Sequence, residues 1–357
     1  MTMSAIEQIA SFWYEGAMRT LDAMRTGWGV AMDEVEGATP SSLVYEGGLA
    51  RLKYYEARGT AHRTPILLVY SLIKRPFILD LQKGRSVVEL LTGAGFDVYL
   101  LDWIPPRRID KNHGFNEYVN VDLANVVRAV QIHSGIEKIS VLGYCFGAVL
   151  TAMYAALHPQ SVANLLTVAM PLDSTTRELP TEFLGNLMTK SAAEAVVASY
   201  GNVPAAMMNA YFTQLAPAHH MIDKFVGAYR RSERDGYLDT FRLFEKWLHS
   251  DVPMAGKIFL EMIDMTAGNL LVAGGMKLGR RTVDLKNISC PLLNIVGDND
   301  DIVNPKSSAV LKSLVGSLDA TNLHFPTGHM GAATSADALK RLWPQVIEWL
   351  ATRDGQD

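Results

Sequence analysis

A cysteine flanked by glycines is the sharpest chemical feature of the sequence. It stands in the run Gly143-Tyr144-Cys145-Phe146-Gly147, which follows a short apolar stretch and precedes a helical pattern. Glycines on both sides allow a tight strand-to-helix turn, a nucleophile elbow, that lifts a side chain above a sheet. The positive end of the following helix would favour the thiolate form of the cysteine. The run therefore predicts that Cys145 is a nucleophile, and the alternative is a buried structural cysteine between chance glycines.

A nucleophilic cysteine needs a base, because a free thiol has a pKa of about 8.5 and only a few per cent of it is ionised at neutral pH. Where an elbow of this kind is used, an acid and then a histidine follow the nucleophile along the chain. The acid is expected after the apolar run 292–296, where three aspartates compete. Asp300 best fits the Gly-x-x-Asp-x-x-Val spacing of such a loop, whereas Asp298 and Asp301 are typical of solvated or capping positions.

The histidine is expected after the last strand of the sheet. His329 lies in a loop between glycines after the apolar run 323–325, where a core histidine would be unusual, so it is the predicted base. His324 is the weaker candidate because it lies within the predicted strand itself. The backbone amide of Phe146, directly after the nucleophile, would be one donor of an oxyanion hole. These residue types and their order predict a triad that performs nucleophilic catalysis.

The remaining candidate groups give weaker signals. Cys290, which precedes Pro291 at the start of a buried strand, is interpreted as a small core hydrophobe. Asp102-Trp103 ends a predicted strand, where it either shapes a pocket or caps a loop, and the sequence leaves both readings open. His219-His220 has no cysteine or further histidine at metal-ligand spacing, and no phosphate- or dinucleotide-binding motif is recognised. We therefore expect no metal and no cofactor.

The elements that must position these groups alternate between short apolar runs and helical patterns, which is typical of βαβ units and a parallel sheet. The predicted strands are 66–70, 97–101, 139–142, 165–170, 292–296 and 323–325. The predicted helices are 119–133, 146–158 and 336–352. An additional strand pair is predicted over 42–57, because the chain alternates there around Gly47-Gly48.

The pattern divides the chain into three parts. The core is predicted to comprise residues 38–171 and 289–357. Residues 172–288, which are helical in pattern and rich in methionine and aromatic residues, are predicted to form a lid inserted between two strands. Their apolar side chains would line a channel for a flexible acyl substrate, or they would only fill the core of the lid. Residues 1–37 are predicted to be helical and either pack on the body or bind a partner.

The composition excludes several classes of protein. Of the 357 residues, 48% are hydrophobic and 20% are charged, so the chain can bury a full core and is not predominantly disordered. A net charge of −4 argues against nucleic acid as a partner. Two cysteines cannot form a disulfide framework and indicate a reducing compartment. No secretory signal and no run of about 18 apolar residues is recognised, so we expect a cytoplasmic protein with no transmembrane span.

The motifs together resemble those of poly(3-hydroxyalkanoate) synthases, specifically the short catalytic subunits of class III and class IV. The resemblance covers nearly the whole chain, from about residue 40 to about residue 350, and it is far more specific than the elbow alone. The segments that carry it are Thr64–Phe77, Gly95–Trp103, Leu142–Gly147, Tyr200–Pro204, Val283–Asn294 and Gly328–Gly331.

The resemblance implies an α/β-hydrolase fold, with a mostly parallel sheet, helices on both faces and a large helical lid. It implies that Cys145 is the nucleophile, His329 the base and Asp300 the acid, with the amide of Ser71 or Leu72 as the second oxyanion donor. The implied activity polymerises 3-hydroxyacyl-CoA, with short chains such as 3-hydroxybutyryl-CoA expected, into a growing polyester and releases CoA. The resemblance also implies a small helical partner subunit, a homodimer or hetero-oligomer, and a location at the surface of polyester granules.

Two departures from the family pattern keep alternatives open. Ala148 stands where the family usually has a second glycine, and Asp301 stands where the acid is usually followed by histidine. A negative charge at Asp301 would raise the pKa of His329. Neither change removes a catalytic group, but both allow a divergent relative. The alternatives are a cysteine-dependent α/β-hydrolase, such as a polyester depolymerase, a dienelactone-hydrolase-like or a thioesterase-like enzyme, and a non-catalytic granule-associated protein.

Overall fold

A central sheet and the helices around it account for most of the chain in the computed structural model. The helical segment predicted for residues 1–37 lies outside the described residues apart from Gly37, and so does the pair His219-His220. The structure describes residues 37–176, 178–179, 189–215 and 237–355.

Within these residues the sheet has eight strands, which lie side by side in the order β1-β2-β4-β3-β5-β6-β7-β8. In chain order they are β1 Ser42–Gly47, β2 Ala50–Tyr55, β3 Ile66–Val69, β4 Val98–Trp103, β5 Ile139–Tyr144, β6 Val162–Val168, β7 Leu292–Gly297 and β8 Ala320–Phe325. The six strands from β3 to β8 run parallel to one another. The hairpin β1-β2 is antiparallel, and β2 is antiparallel to β4. The predicted mostly parallel α/β-hydrolase sheet is therefore confirmed.

The central strands of the sheet are buried on both faces. Successive side chains of a strand point to opposite sides, so alternate residues pack in different apolar clusters. In β3, Leu67 and Val69 belong to one apolar cluster, whereas Ile66 and Leu68 belong to the other. All four side chains are fully buried. Burial on both sides explains why the central strands are continuous apolar runs in the sequence and do not alternate with polar residues.

Helices cover both faces of the sheet. In chain order they are α1 Val87–Gly93, α2 Ala124–Ser134, α3 Phe146–Leu157, α4 Lys190–Tyr200, α5 Ala205–Leu215, α6 Tyr237–Leu248, α7 Gly256–Ala267, α8 Pro305–Ala309, α9 Leu311–Leu314, α10 Gly331–Thr334 and α11 Trp343–Ala351. Helical turns over Phe115–Glu117 and Tyr118–Leu123 precede α2, and one over Ala338–Leu342 precedes α11. Apolar side chains of α2 and α3 pack in the first cluster, and those of α1 and α11 pack in the second.

Several boundaries differ from the sequence prediction by a few residues, and two of these differences have identifiable reasons. The helical turns before α2 begin at Phe115, four residues earlier than predicted, because the Glu117 carboxylate accepts a hydrogen bond from the Gly114 amide at 2.7 Å and caps the first turn. Strand β8 begins at Ala320, three residues before the predicted run. The prediction missed these residues because β8 is an edge strand and is only partly buried. Its half-exposed polar residues hide the apolar pattern on which the prediction relied.

Where the structure describes them, the inserted residues 172–288 are mainly helical and contain α4 to α7, together with a short antiparallel strand pair, Lys277–Leu278 and Arg281–Thr282. Four of their methionines are buried in the same apolar cluster as one face of the sheet, namely Met208, Met254, Met265 and Met276. These methionines therefore fill the core, and apolar residues elsewhere in the insertion must form any acyl channel. The described part of the chain contains no helix that is long and apolar enough to cross a membrane.

Candidate active site

The nucleophile elbow forms where strand β5 passes into helix α3. Cys145 lies between them with φ 54° and ψ −123°, a conformation that few residues other than glycine adopt. Its amide donates to the carbonyl of Val168 in the neighbouring strand β6 at 2.9 Å, which holds the turn against the sheet. Strain of this kind is kept only where the surroundings enforce it, and it is typical of functional sites.

The two glycines of the elbow are required by close packing. A Cβ atom at Gly147 would lie 2.2 Å from the carbonyl oxygen of Val69, at the end of β3. A Cβ atom at Gly143 would lie 2.4 Å from the Cα atom of Ala148 in the first turn of α3. The same turn therefore touches both the strand that precedes the cysteine and the end of β3. Ala148, the departure from the family pattern, is fully buried in this packing.

Asp300 is held rigidly at the carboxyl end of strand β7. One of its carboxylate oxygens, Oδ1, accepts hydrogen bonds from the backbone amides of Ile302 and Val303, both at 2.9 Å. The other, Oδ2, lies 2.8 Å from Nδ1 of His329. With only 5% of its surface exposed, Asp300 is a buried acceptor whose orientation is fixed from both sides.

His329 lies between Asp300 and Cys145 in the loop after strand β8, and it is 6% exposed. Its Nδ1 atom lies 2.8 Å from Oδ2 of Asp300, and the side chain of Cys145 is close enough to act on its pKa. Burial by itself would lower the pKa of His329, but the charges of Cys145 and Asp300 and the hydrogen bond to Asp300 raise it well above its ordinary value. The imidazole therefore readily holds a proton that the thiol gives up.

Two buried tyrosines that the sequence analysis did not single out support the histidine loop. The Tyr144 hydroxyl donates to the backbone carbonyl of His329, and the two rings are perpendicular with centroids 6.0 Å apart. The Tyr70 hydroxyl donates to Sδ of Met330 at 3.7 Å. Burial, with the charges of Asp300 and Cys145, raises the pKa of Tyr144 well above its ordinary value, so its hydroxyl remains a donor. The position of Tyr144 inside the elbow motif was the one sequence signal that could have identified it.

The two backbone amides expected to form an oxyanion hole lie on adjoining segments. Phe146 is the first residue of α3, so its amide has no acceptor within the helix. Leu72 is buried in the segment that follows β3, and the first turn of α3 packs directly against the end of that strand. Ser71, the other candidate, accepts a hydrogen bond from the Ile73 amide through its side-chain oxygen at 3.3 Å.

The rival acids and histidine are more exposed than Asp300 and His329. Asp298 pairs with His324 at 2.7 Å, and both side chains are about half exposed. Asp301 is exposed, and the charges that raise the pKa of His329 are those of Cys145 and Asp300, so the effect expected of Asp301 is not what perturbs this group.

The surroundings of Cys290 and of the dipeptide Asp102-Trp103 fit a structural role for each. Burial raises the pKa of the Cys290 thiol to about 11, as expected of a core hydrophobe. Asp102 pairs with Arg75 at 2.7 Å, and Trp103 donates to the carbonyl of Tyr70 at 3.1 Å, so this dipeptide braces the segment after β3. Among the described residues, no group of three or more His, Cys, Asp or Glu side chains could hold a metal ion.

Comparison with known proteins agrees with this architecture. The family model for the alpha/beta hydrolase fold matches residues 64–335. Among solved structures, a soluble variant of monoglyceride lipase from Saccharomyces cerevisiae superposes with a TM-score of 0.60 and 13% identity, covering 92% of this chain and 99% of the other. That likeness concerns the fold alone.

Curated relatives give a narrower assignment. The chain is 35% identical over 334 residues to the poly(3-hydroxyalkanoate) polymerase subunit PhaC of Haloarcula marismortui, covering 90% of this chain and 70% of the relative. It is 35% identical over 321 residues to the subunit of the same name from Allochromatium vinosum, covering 89% and 90%. The resemblance inferred from the motifs is thus confirmed. The chain belongs to the poly(3-hydroxyalkanoate) polymerase family, whose members are acyltransferases built on the α/β-hydrolase fold.

Proposed function

We propose that this chain is the catalytic subunit of a poly(3-hydroxyalkanoate) synthase and that Cys145, His329 and Asp300 form its catalytic triad. The observation that supports the triad is a buried histidine that pairs with Asp300 at 2.8 Å and whose pKa is raised by the charge of a cysteine held in an elbow. The proposed substrate is a 3-hydroxyacyl-CoA with a short acyl chain, such as 3-hydroxybutyryl-CoA. The proposed products are a lengthened polyester and free CoA.

The proposed chemistry has two halves. In the first, His329 takes the proton of Cys145, and the thiolate sulfur forms a bond to the thioester carbonyl carbon of the substrate. The resulting oxyanion accepts hydrogen bonds from the amides of Phe146 and Leu72. When the carbonyl reforms, the carbon–sulfur bond to CoA breaks, protonated His329 gives its proton to the departing sulfur, CoA leaves as the free thiol, and the acyl group stays on Cys145.

In the second half, the 3-hydroxyl of another unit attacks the acyl group on Cys145. His329 accepts the hydroxyl proton, the new ester bond forms, and the Cys145 thiolate leaves. Transfer of an acyl group from a thioester to an alcohol is downhill, so a cysteine is a suited carrier. The reaction gives polymer only if the acceptor is a hydroxyl group of another unit, since water in its place would release a free hydroxy acid.

Exclusion of water from the acyl-enzyme falls to apolar side chains of the insertion. Leu243, Phe244 and Trp247 of α6 pack in the same cluster that Cys145 and Met330 contact. We propose that these residues give the lid a dry surface that faces the acyl-enzyme. A lid of this kind favours the synthase over the hydrolase, because the two differ only in the acceptor that reaches the acyl-enzyme.

The decisive experiment supplies purified protein with 3-hydroxybutyryl-CoA and measures CoA, free 3-hydroxybutyrate and insoluble polyester separately. Polyester formed with CoA supports the synthase, whereas free acid without polymer would make the protein a hydrolase. Cys145→Ala should abolish CoA release, and Cys290→Ala is the matched control that should leave it unchanged. Equal turnover in Cys145→Ala and in the wild type would exclude the proposed nucleophile, and no turnover in any form would favour a granule protein without catalytic function.

The proposal extends to partners and location. A small helical partner subunit, assembly into a homodimer or hetero-oligomer and attachment to the surface of cytoplasmic polyester granules are inferred from the resemblance to class III and class IV synthases. The chain alone should then release CoA slowly, and the complex isolated from its native host should release it faster. Equal rates per catalytic chain would contradict a required partner.

A further inference from the structure

A buried ion pair joins the insertion to the segment that follows strand β3. Nζ of Lys74 lies 2.5 Å from Oδ1 of Asp251, and the two side chains are 9% and 5% exposed. The same two residues form an antiparallel backbone bridge. The pair joins positions 177 residues apart in the chain, and it lies two residues beyond Leu72, whose amide is the proposed second oxyanion donor.

Further contacts hold the same short segment. The Val252 amide donates to the carbonyl of Ile73 at 3.2 Å, and the indole nitrogen of Trp247 donates to the carbonyl of Arg75 at 3.0 Å. Lys74 also donates through Nζ to the carbonyl of Leu248, and its ammonium lies 5.9 Å from the centroid of the Trp247 ring. The insertion therefore fixes three consecutive residues, Ile73 to Arg75, by backbone and side-chain contacts.

The ion pair is a poor source of stability. Burial lowers the pKa of Lys74 and raises that of Asp251, and the attraction between the two groups only partly offsets each shift. Desolvation of buried charges commonly costs about as much as their attraction returns, so an apolar pair of similar volume can hold a fold equally well. An ion pair instead fixes the register of two segments, because it determines which of their residues lie opposite each other.

We propose that Lys74 and Asp251 are positioning residues that hold the segment after β3 in register with the insertion, so that the Leu72 amide points at the oxyanion. This inference rests on the proposed function, since it concerns the transition state of that reaction. Neither residue touches the substrate in this proposal. The orientation of the Leu72 amide then depends on contacts that the insertion makes, although the insertion itself supplies no oxyanion donor.

The test compares the wild type with the double variant Lys74→Met/Asp251→Leu, because a single substitution would leave one buried charge unpaired and could unfold the protein. The double variant should keep the thermal midpoint of the wild type within a few degrees. Its kcat for CoA release should fall about 10- to 100-fold with KM nearly unchanged, since loss of a whole oxyanion donor costs about 10²- to 10³-fold. Lys190→Met/Asp264→Leu, which removes an exposed pair of the insertion with 58% and 47% exposure, is the matched control and should change neither constant.

Two inhibitors separate positioning from general damage. A CoA thioether that carries a trifluoroacetonyl group forms an oxyanion adduct with the thiolate of Cys145, whereas S-butyl-CoA binds without forming one. The double variant should bind the first about 10- to 100-fold more weakly and the second as the wild type does. Unchanged kcat and unchanged affinity for the trifluoroacetonyl compound would overturn the inference, as would equal weakening for both compounds. If the wild type neither releases CoA nor forms the adduct, the proposed function itself fails.

Discussion

Replacing Asp300 by asparagine tests the proposed triad, because the surrounding hydrogen bonds dictate how the new side chain must lie. The Oδ1 position receives two amide hydrogens, from Ile302 and Val303 at 2.9 Å each, so the asparagine oxygen must stay there. The NH₂ group then faces Nδ1 of His329, which must present a lone pair. The proton of the imidazole moves to Nε2, the nitrogen left to accept the proton of Cys145, and the base is lost.

The expected loss of kcat in Asp300→Asn follows from two effects of the substitution. Asp300→Asn removes a charge that raises the pKa of His329, so the imidazole holds the thiol proton less well. It also traps the wrong tautomer, which in a serine triad of known mechanism costs about 10⁴-fold in kcat. A thiol ionises more easily than a serine hydroxyl, so the expected loss is smaller. We expect kcat to fall about 10²- to 10³-fold, or about 2.7 to 4 kcal/mol of transition-state stabilisation.

The assay is release of CoA from 3-hydroxybutyryl-CoA, separated by chromatography so that no thiol reagent touches the enzyme. Asp298→Asn, in the same loop but about half exposed, is the matched control and should retain wild-type activity. A variant at position 300 that keeps more than about a tenth of kcat, or an equal loss in the control, would refute the reasoning.

Two further predictions address the elbow and the pH dependence of stability. Gly147→Ala should lower soluble yield or activity at least about tenfold, because its Cβ would lie 2.2 Å from a backbone oxygen of β3, whereas Gly93→Ala, in open space at the end of α1, should be neutral or stabilising when thermal midpoints and rates are compared. Burial of Glu117 would raise its pKa, but hydrogen bonds from Lys257 and the Gly114 amide lower it from 4.5 to about 2 in the folded state. Its stabilisation is therefore present above pH 4.5 and lost as the pH falls through about 2, so Glu117→Gln should cost about 1 kcal/mol at pH 7 by denaturant titration, a solvent-screened value, and progressively less below pH 4.5. A constant difference between the two proteins at every pH would contradict this origin.

The core of the fold could be predicted because its signals are local. The central strands are buried on both faces, so each one is an apolar run that stands out without knowledge of its neighbours. Edge strand β8 lacked that signal, and its first half was missed for that reason. The fold class needed only the alternation of such runs with helices.

The site was predictable for a related reason: each candidate is marked by what surrounds it in the chain. Cys145 stands between glycines, Asp300 has a loop spacing and His329 follows a strand between glycines. Tyr144 lies within the elbow motif, but its hydrogen bond to the His329 carbonyl joins residues 185 positions apart. No local sequence pattern encodes that contact. Residues proposed to carry the chemistry can therefore be singled out from types and spacing, whereas the residues that contact and orient them are determined by tertiary packing.

The contacts of the insertion explain why its role was the hardest to predict from the sequence. As a sequence, residues 172–288 are only helical and apolar, which suits a lid and a self-contained lobe equally. The distinction lies in where the insertion contacts the core. It holds Ile73 to Arg75, directly after the proposed oxyanion donor Leu72, by a buried ion pair and by hydrogen bonds to backbone carbonyls. A lobe that merely filled its own core would have no cause to bury two charges against that segment, at a cost in desolvation that apolar side chains would avoid. The location and the cost together favour an insertion that governs the geometry of catalysis.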